Sequence, residues 1–301
     1  MQLPITELVA RYRVTSSFRL PFHSGSMLRG LLGRALRSRG CAVEPVCAEH
    51  CNRRGACTYS RLFDPPLPDP PPHRLLRGAT HPPQPLLPII PEPGARSLAV
   101  GELLELPLRI LGRLDPADDR NLAAALEAVG ELPLGNDLGR VTLHEVARVG
   151  GHDRVARLEP ESTPVQGLTI DFETPTWITT KESRGRLPVP LTVPVLLQSV
   201  YRRLTIVCAL YGSLEEQDEA RVARLGAIAA GVQVTQDSLR PMSWERHSVE
   251  RDQRHPMKGL LGSLQLRGEL AELAGILRMA ELVHVGKATS HGLGRIRVTL
   301  H

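Results

Sequence analysis

Apolar and polar positions change period several times along this chain, and each change predicts an element. "ELVARYRVTSSFRL", residues 7–20, alternates as a half-buried strand does. From Ser24 to Arg39 the period lengthens. At 100° per residue, Leu28, Leu31, Leu32, Ala35 and Leu36 fall on one face, with Arg29, Arg34 and Arg37 opposite. This predicts an amphipathic helix with a basic outer face and Ser24 as its N-cap. Gly30 and Gly33 interrupt it. Each costs about 1 kcal/mol against alanine in a helix, so they predict close packing or a close backbone approach. A cysteine-bearing loop (40–58) follows, then a tract from Asp64 to Pro93 that holds 12 of the 26 prolines. Proline fixes φ and donates no N–H, so the tract predicts an extended surface connector, not a helix or a central strand. Strand "AVGELLELPLRIL", helix "DDRNLAAALEAVGEL" and strand "RVTLHEVARVG" complete the first half.

The polar, turn-rich "RLEPESTPVQG" separates the halves. Beyond it the pattern predicts strand "LTIDFETPTWITT", a long apolar helix "LTVPVLLQSVYRRLTIVCALYG" with Pro194 near its first turn, and a shorter helix "LEEQDEARVARLGAIAAG". A strand pair ("SLRPMSWERHSV", "KGLLGSLQLRG"), helix "ELAELAGILRMA" and a final hairpin "ELVHVG…GRIRVTL" follow. The expected fold class is α+β, with two ferredoxin-like (RRM-like) βαββαβ domains in tandem. The first, residues 1–160, carries the cysteine cluster (41–57) and the proline-rich insertion (64–93); the second, 165–301, carries a glycine-rich loop (286–294).

Charge narrows the partners. The chain has net charge +5 and pI about 9.2, a profile compatible with nucleic acid. Only Lys181, Lys258 and Lys287 are lysines, so 34 of the 37 basic residues are arginine, whose planar fork suits phosphate. Aromatic residues are 3% and follow no base-stacking consensus, so RNA recognition is expected to rest on phosphates and duplex shape. "MQLPITELVARYRV" is not a signal peptide, and the longest apolar run, near "LTIVCALYG", is too short to span a bilayer. A cytoplasmic location without a membrane partner is the expectation.

Cys41, Cys47, Cys51 and Cys57 form C-x5-C-x3-C-x5-C, which points to a tetrahedral structural zinc, with His50 able to replace one thiolate. Ordinary reduced thiols and disulfides are the alternatives. Cys208, in an apolar helix, reads as core filling. His144 reads as packing, His247 and His255 as surface, and His284 as the end of a strand. His23 lies between the first strand and the first helix, where its ring could reach a phosphate held at the helix N-terminus; the bland alternative is an exposed loop residue. His291 lies within the glycine-rich loop, blandly a space-filling ring in a turn. The loop's G-x-G is not a dinucleotide fingerprint, because "RIRVTL" after it alternates as a strand where that motif needs a helix. No P-loop, H-E-x-x-H or G-x-S-x-G motif is present.

"FHSGSMLRGLLGRAL", "CAEHCNRRGACTYSRLFDP" and "HVGKATSHGLGRIRV" together resemble the CRISPR repeat-RNA processing endoribonucleases, the sixth Cas family of the RAMP superfamily. "LELPLRILGR", "TIDFETPTWI" and "WERHSVERDQRHPMKGLLG" extend the resemblance along most of the chain. It implies tandem ferredoxin-like domains, binding of a CRISPR repeat stem-loop, and one cut at the 3′ base of the stem. The implied reaction needs no metal: the ribose 2′-OH attacks the adjacent phosphate and leaves a 2′,3′-cyclic phosphate and a 5′-OH. His23 stands where several members carry a histidine and is the implied base or acid, with Arg29 or Lys287 on the phosphorane. The glycine-rich loop is implied to lie against RNA or the neighbouring domain. RNA contacts are expected from Arg29, Arg34, Arg37, Gly286, Lys287, Gly292, Gly294, Arg295 and Arg297. His291 occupies a position where an aromatic residue is commoner, making it a second catalytic histidine or a packing residue. Partners implied are repeat RNA and CRISPR effector subunits. Two other readings compete: a non-catalytic crRNA-binding subunit, and a zinc-stabilised protein-interaction module.

Overall fold

The computed structural model describes every residue except 42–50, 52–53, 91–93, 136–137, 151–153, 181–184, 215–218 and 249–252. The chain divides into one unit of Leu3–Val155 and another of Ala156–His301 with Met1–Gln2.

In the first unit the alternating segment becomes β1 (Gln2–Ser16) and β2 (Phe18–Leu20). α1 (Gly25–Gly40), α2 (Thr58–Phe63), β3 (Leu86–Pro88), β4 (Arg96–Leu98) and β5 (Leu103–Leu111) follow. α3 (Pro116–Ala128), β6 (Arg140–Arg148) and β7 (Arg154–Arg157) complete it. The main sheet runs β3-β5-β1-β6 with β7 also on β1, while β2 and β4 form a separate ribbon. The β1–β5, β1–β6 and β3–β5 ladders are antiparallel.

Period 2 in β1 puts Leu8, Ala10, Tyr12 and Val14 on the buried face, opposite Leu108, Leu106 and Leu104 of β5. The leucine stripe of α1 and Leu122 and Leu126 of α3 belong to the same core. Tyr12 donates its hydroxyl proton to the carbonyl of Leu126 at 2.9 Å, and burial raises its pKa well above the usual phenol value.

The proline tract is more than a connector. It contains a 3-10 turn at Arg74–Leu76 and the strand β3, whose Leu86 and Leu87 are buried. β3 ends the strand order, and proline is tolerated in an edge strand because its missing N–H is not required by a second neighbour.

α2 is pinned to α3 by a buried carboxylate. Asp118 accepts from Arg61 Nε at 2.7 Å, and also from Arg61 Nη2 and from the hydroxyl of Thr58, which in turn accepts from Asn121. Burial pushes the Asp118 carboxyl up, but Arg61 and Thr58 together pull it below its ordinary value. A depressed folded pKa means the stabilisation is present above pH ~4 and is lost as pH falls through the folded value. Asp118→Ala is expected to cost about 3 kcal/mol at neutral pH, with a shrinking difference from wild type under acid, read by urea unfolding across pH.

The second unit contains β8 (Gly167–Thr176), α4 (Val193–Tyr211), α5 (Glu219–Gly231), β9 (Gln233–Asp237) and β10 (Arg240–Ser248). β11 (Gln253–Arg267), α6 (Ala271–Val283) and β12 (Ile296–Leu300) follow. Its sheet runs β10-β11-β8-β12, with β9 pairing the far stretch of β11. Leu168, Ile170 and Phe172 of β8 are buried, as are Leu196, Val200, Leu204 and Val207 of α4 and Leu273, Ile276 and Leu277 of α6. α4 is long and apolar enough by composition to cross a bilayer, but ten of its 19 residues are buried within the fold. Cys208 is among them, and burial pushes its thiol up to about 11.

The predicted terminal hairpin does not form. Glu281–Val283 complete the last turn of α6, and His284 is the C-cap of that helix with φ 58°, fully buried, instead of the end of a strand. Beyond His284 the chain runs through a loop with a 3-10 turn at Thr289–His291 and returns to the sheet as β12.

Candidate nucleic-acid site

In the first unit the candidate groups gather around α1. Ser24 holds the N-cap position without a side-chain capping bond and is buried. His23 beside it is 7% exposed, so it is an enclosed ring and not an exposed loop residue. Phe22 before it is exposed at 45%.

The basic face of α1 divides. Arg29 donates from Nε and Nη2 to Gln84 Oε1 at 3.2 and 2.8 Å, and its guanidinium lies 5.2 Å from the centroid of Phe63. Arg37 lies 5.1 Å from the centroid of Tyr59. Tyr59 and Phe63 are themselves stacked at 5.5 Å. Between the two arginines stands Gly33, where a Cβ would meet the Phe63 ring at 3.3 Å. Positions 29, 33 and 37 thus form one row along the helix, an Arg-Gly-Arg seat for the aromatic pair of α2. Gly33 permits the close approach expected of it; Gly30 faces open space and does not. Arg34 remains exposed to solvent.

Cys47 and His50 lie outside the described residues. Cys41 follows α1 directly as its C-cap, Cys51 is half-buried, and Cys57 is the N-cap of α2, its Sγ accepting from Ser60 N–H at 3.3 Å. Among the described residues no group of three or more His, Cys, Asp or Glu is placed to hold a metal.

In the second unit the glycine-rich loop packs on its own domain. Lys287 N–H donates to the carbonyl of Trp177 at 2.9 Å, Val285 N–H to that of Gly294 at 2.7 Å. Gly286, Gly292 and Gly294 have φ of 84°, 77° and 77°, and Gly292 and Gly294 are buried. A Cβ at Gly286 would lie 2.5 Å from the Trp177 carbonyl oxygen, and one at Gly294 2.0 Å from that of Val285. These glycines answer to left-handed backbone and intrachain contact.

The charges around the loop differ in availability. Arg295 and Arg297 both pair with the carboxylate of Glu173, Arg295 at 2.5 Å and 18% side-chain exposure, Arg297 at 65% exposure. Lys287 is exposed. His291 is half-buried, with Nε2 3.5 Å from Arg246 Nη1.

Sequence reasoning passed over Arg203. It sits on the buried face of α4, donating to the Val283 carbonyl from Nε and Nη2 at 3.2 and 3.0 Å, and from Nη2 to Thr289 Oγ1 at 2.9 Å. It ties the last turn of α6 to the 3-10 turn of the loop. Burial lowers its pKa to about 10, so it stays charged at neutral pH. The available signal was position: 203 falls on the stripe of Leu196, Val200 and Val207, where an arginine must be paired. Arg203→Met is expected to destabilise by about 2 kcal/mol, by leaving two acceptors unbonded, and to speed amide exchange at 284–291.

The structure places His23 and the α1 arginines in one unit and the glycine-rich loop in the other. Among solved structures of similar fold is a Cas6 product complex, at 17% identity over 98% of this chain and 100% of that one, TM-score 0.58. Thermus thermophilus Cas6 matches at 17% identity over 99% of each chain, TM-score 0.55. A partial Cas6-RT-Cas1–Cas2 complex matches at 12% identity over 99% of this chain and 46% of that one, TM-score 0.59. At these identities the likeness is one of fold. No curated protein matches by sequence. Residues 3–165 match the family model AF_1859_N, an N-terminal domain, and residues 170–296 match that of the CRISPR-associated endoribonuclease Cas6. Residues 170–296 thus form a domain of the Cas6 family, and residues 3–165 an N-terminal domain of the AF_1859_N type.

Proposed function

We propose that this protein binds CRISPR repeat RNA and cuts it at the 3′ base of the repeat stem, without a catalytic metal, to yield mature crRNA. The observation that carries the proposal is the Cas6 family match over residues 170–296. Both units are read as ferredoxin-like. In support, each follows a β-α-β-β-α-β course, with sheet orders β3-β5-β1-β6 and β10-β11-β8-β12. The cytoplasm, where the transcript is made, is the proposed location.

In the proposed reaction the 2′-oxygen forms a bond to phosphorus, the P–O5′ bond breaks, and the 2′-OH proton leaves as the 5′-oxygen gains one. His23 serves as base or acid, and Lys287 is the exposed cation offered to the phosphorane. Arg29, engaged by Gln84 and Phe63, is the weaker candidate for that role. His291 is retained as the second candidate histidine. The enclosure of His23 favours the alternative, a non-catalytic crRNA-binding subunit of an effector complex. Mass spectrometry of repeat RNA after incubation separates the two: one cut leaving a 2′,3′-cyclic phosphate is expected, whereas tight binding with intact RNA establishes the subunit reading. Similar structures that are a Cas6 product complex and a complex with Cas1–Cas2 support repeat RNA and CRISPR proteins as partners.

Cys41, Cys47, Cys51 and Cys57 are proposed to hold a structural zinc. The N–H donated to Cys57 Sγ is the kind of bond that orients a ligating thiolate. Purified protein is expected to carry one zinc per chain, and stripping it with a strong chelator to lower the melting temperature of the first unit.

A further inference from the structure

We propose that Trp177, Lys258 and Lys287 form a binding site for one unpaired RNA nucleotide, its base stacked on the indole and its flanking phosphates on the two ammoniums. The inference rests on the RNA-binding reading above and adds a stacking platform to it. Trp177 follows β8 directly, with β11 on one side and the glycine-rich loop on the other. Lys258 Nζ, from β11, lies 5.5 Å from the indole centroid, and Lys287 Nζ, from the loop, 5.9 Å. The loop is locked to this residue by the backbone bridge between Trp177 and Lys287 and by Gly286, which leaves no room for a Cβ beside the Trp177 carbonyl.

Composition makes the convergence unusual. The chain has three lysines and two tryptophans, and two of the three lysines meet at one tryptophan although 34 of the 37 basic residues are arginine. A guanidinium would lie flat on the indole and cover it, whereas an ammonium is a compact charge on a flexible stem that leaves ring surface open. Arg295 and Arg297 share the single carboxylate of Glu173, whereas among the described residues neither Lys258 nor Lys287 makes an ion pair. Both charges are therefore available to phosphate. Trp177 itself is half-buried, with its indole N–H turned inward and without a hydrogen-bond partner among the described residues. Its hydrogen-bonding edge is thus withheld from solvent, so the platform stacks a base without reading its identity.

The test uses full-length protein carrying Trp244→Phe, which leaves Trp177 as the sole tryptophan. Titration with repeat RNA is expected to quench its emission, and an RNA with an abasic site at the stacked nucleotide is expected to bind without the quench. Trp177→Leu is expected to weaken binding about tenfold and Trp177→Phe much less. Lys258→Gln is expected to lower the slope of log K against log salt by about 0.7. RNA that binds with Trp177 emission unchanged, or a Leu variant that binds as wild type does, overturns the nucleotide site alone. Failure of the repeat RNA to bind at all overturns the RNA-binding reading with it.

Discussion

His23→Ala protein is expected to cut repeat RNA at least about 100-fold more slowly than wild type while binding it with unchanged affinity. The expectation follows from the chemistry demanded of the position. A 2′-OH is a poor nucleophile and a 5′-oxygen a poor leaving group, so one well-placed proton acceptor or donor carries much of the acceleration. His23 stands where β-structure gives way to α1, backed by buried Ser24 and flanked by exposed Phe22. With 7% of its surface exposed, the ring can act in the proposed mechanism only once it is uncovered. That requirement gives the prediction a second face: single-turnover rates with saturating RNA fall in the variant, while the dissociation constant does not move. His23→Gln, closer in volume, keeps the fold and separates lost chemistry from a cavity. A variant that cuts at the wild-type rate removes His23 from the mechanism.

Gly294→Ala is expected to destabilise the second unit by more than about 3 kcal/mol, measured by urea unfolding. Two effects add. The left-handed φ of 77° costs a non-glycine residue about 1–2 kcal/mol. The added Cβ would then sit 2.0 Å from the carbonyl oxygen of Val285, whose own N–H donates to the Gly294 carbonyl at 2.7 Å. Backbone on both sides leaves no flexible side chain to yield. Relief comes only by separating the loop from its base, carrying Lys287 away from Trp177. A variant as stable as wild type would show that the loop lacks this geometry.

Where the sequence could be read, periodicity was the reason. The leucine stripe of α1 and the alternation of β1 are local patterns, and each marks a buried face without knowledge of its partner. Arg29 and Arg37 were harder. Their partners Tyr59 and Phe63 lie beyond the cysteine loop, so a row that looks like a solvent-facing charge stripe is a docking seat. β3 was missed because three residues ending in proline carry no alternation, and its place at the sheet edge is decided by pairing with β5. The last turn of α6 read as strand because Leu282, Val283 and Val285 are apolar in either period. Helix ends there through His284 at positive φ, a conformation no histidine announces. Trp177 escaped notice because scarcity of aromatics argued against stacking, whereas a single platform needs only one.

The central claim is that this chain cuts repeat RNA through the ribose 2′-OH. The measurement that tests it most directly compares two labelled repeat RNAs, identical except for a single 2′-deoxy at the scissile nucleotide, in EDTA with the fold checked by circular dichroism. One cut in the all-ribose RNA and none in the deoxy RNA is the predicted result. Equal cutting of both would contradict the account, because the attacking oxygen would then come from water instead of the substrate.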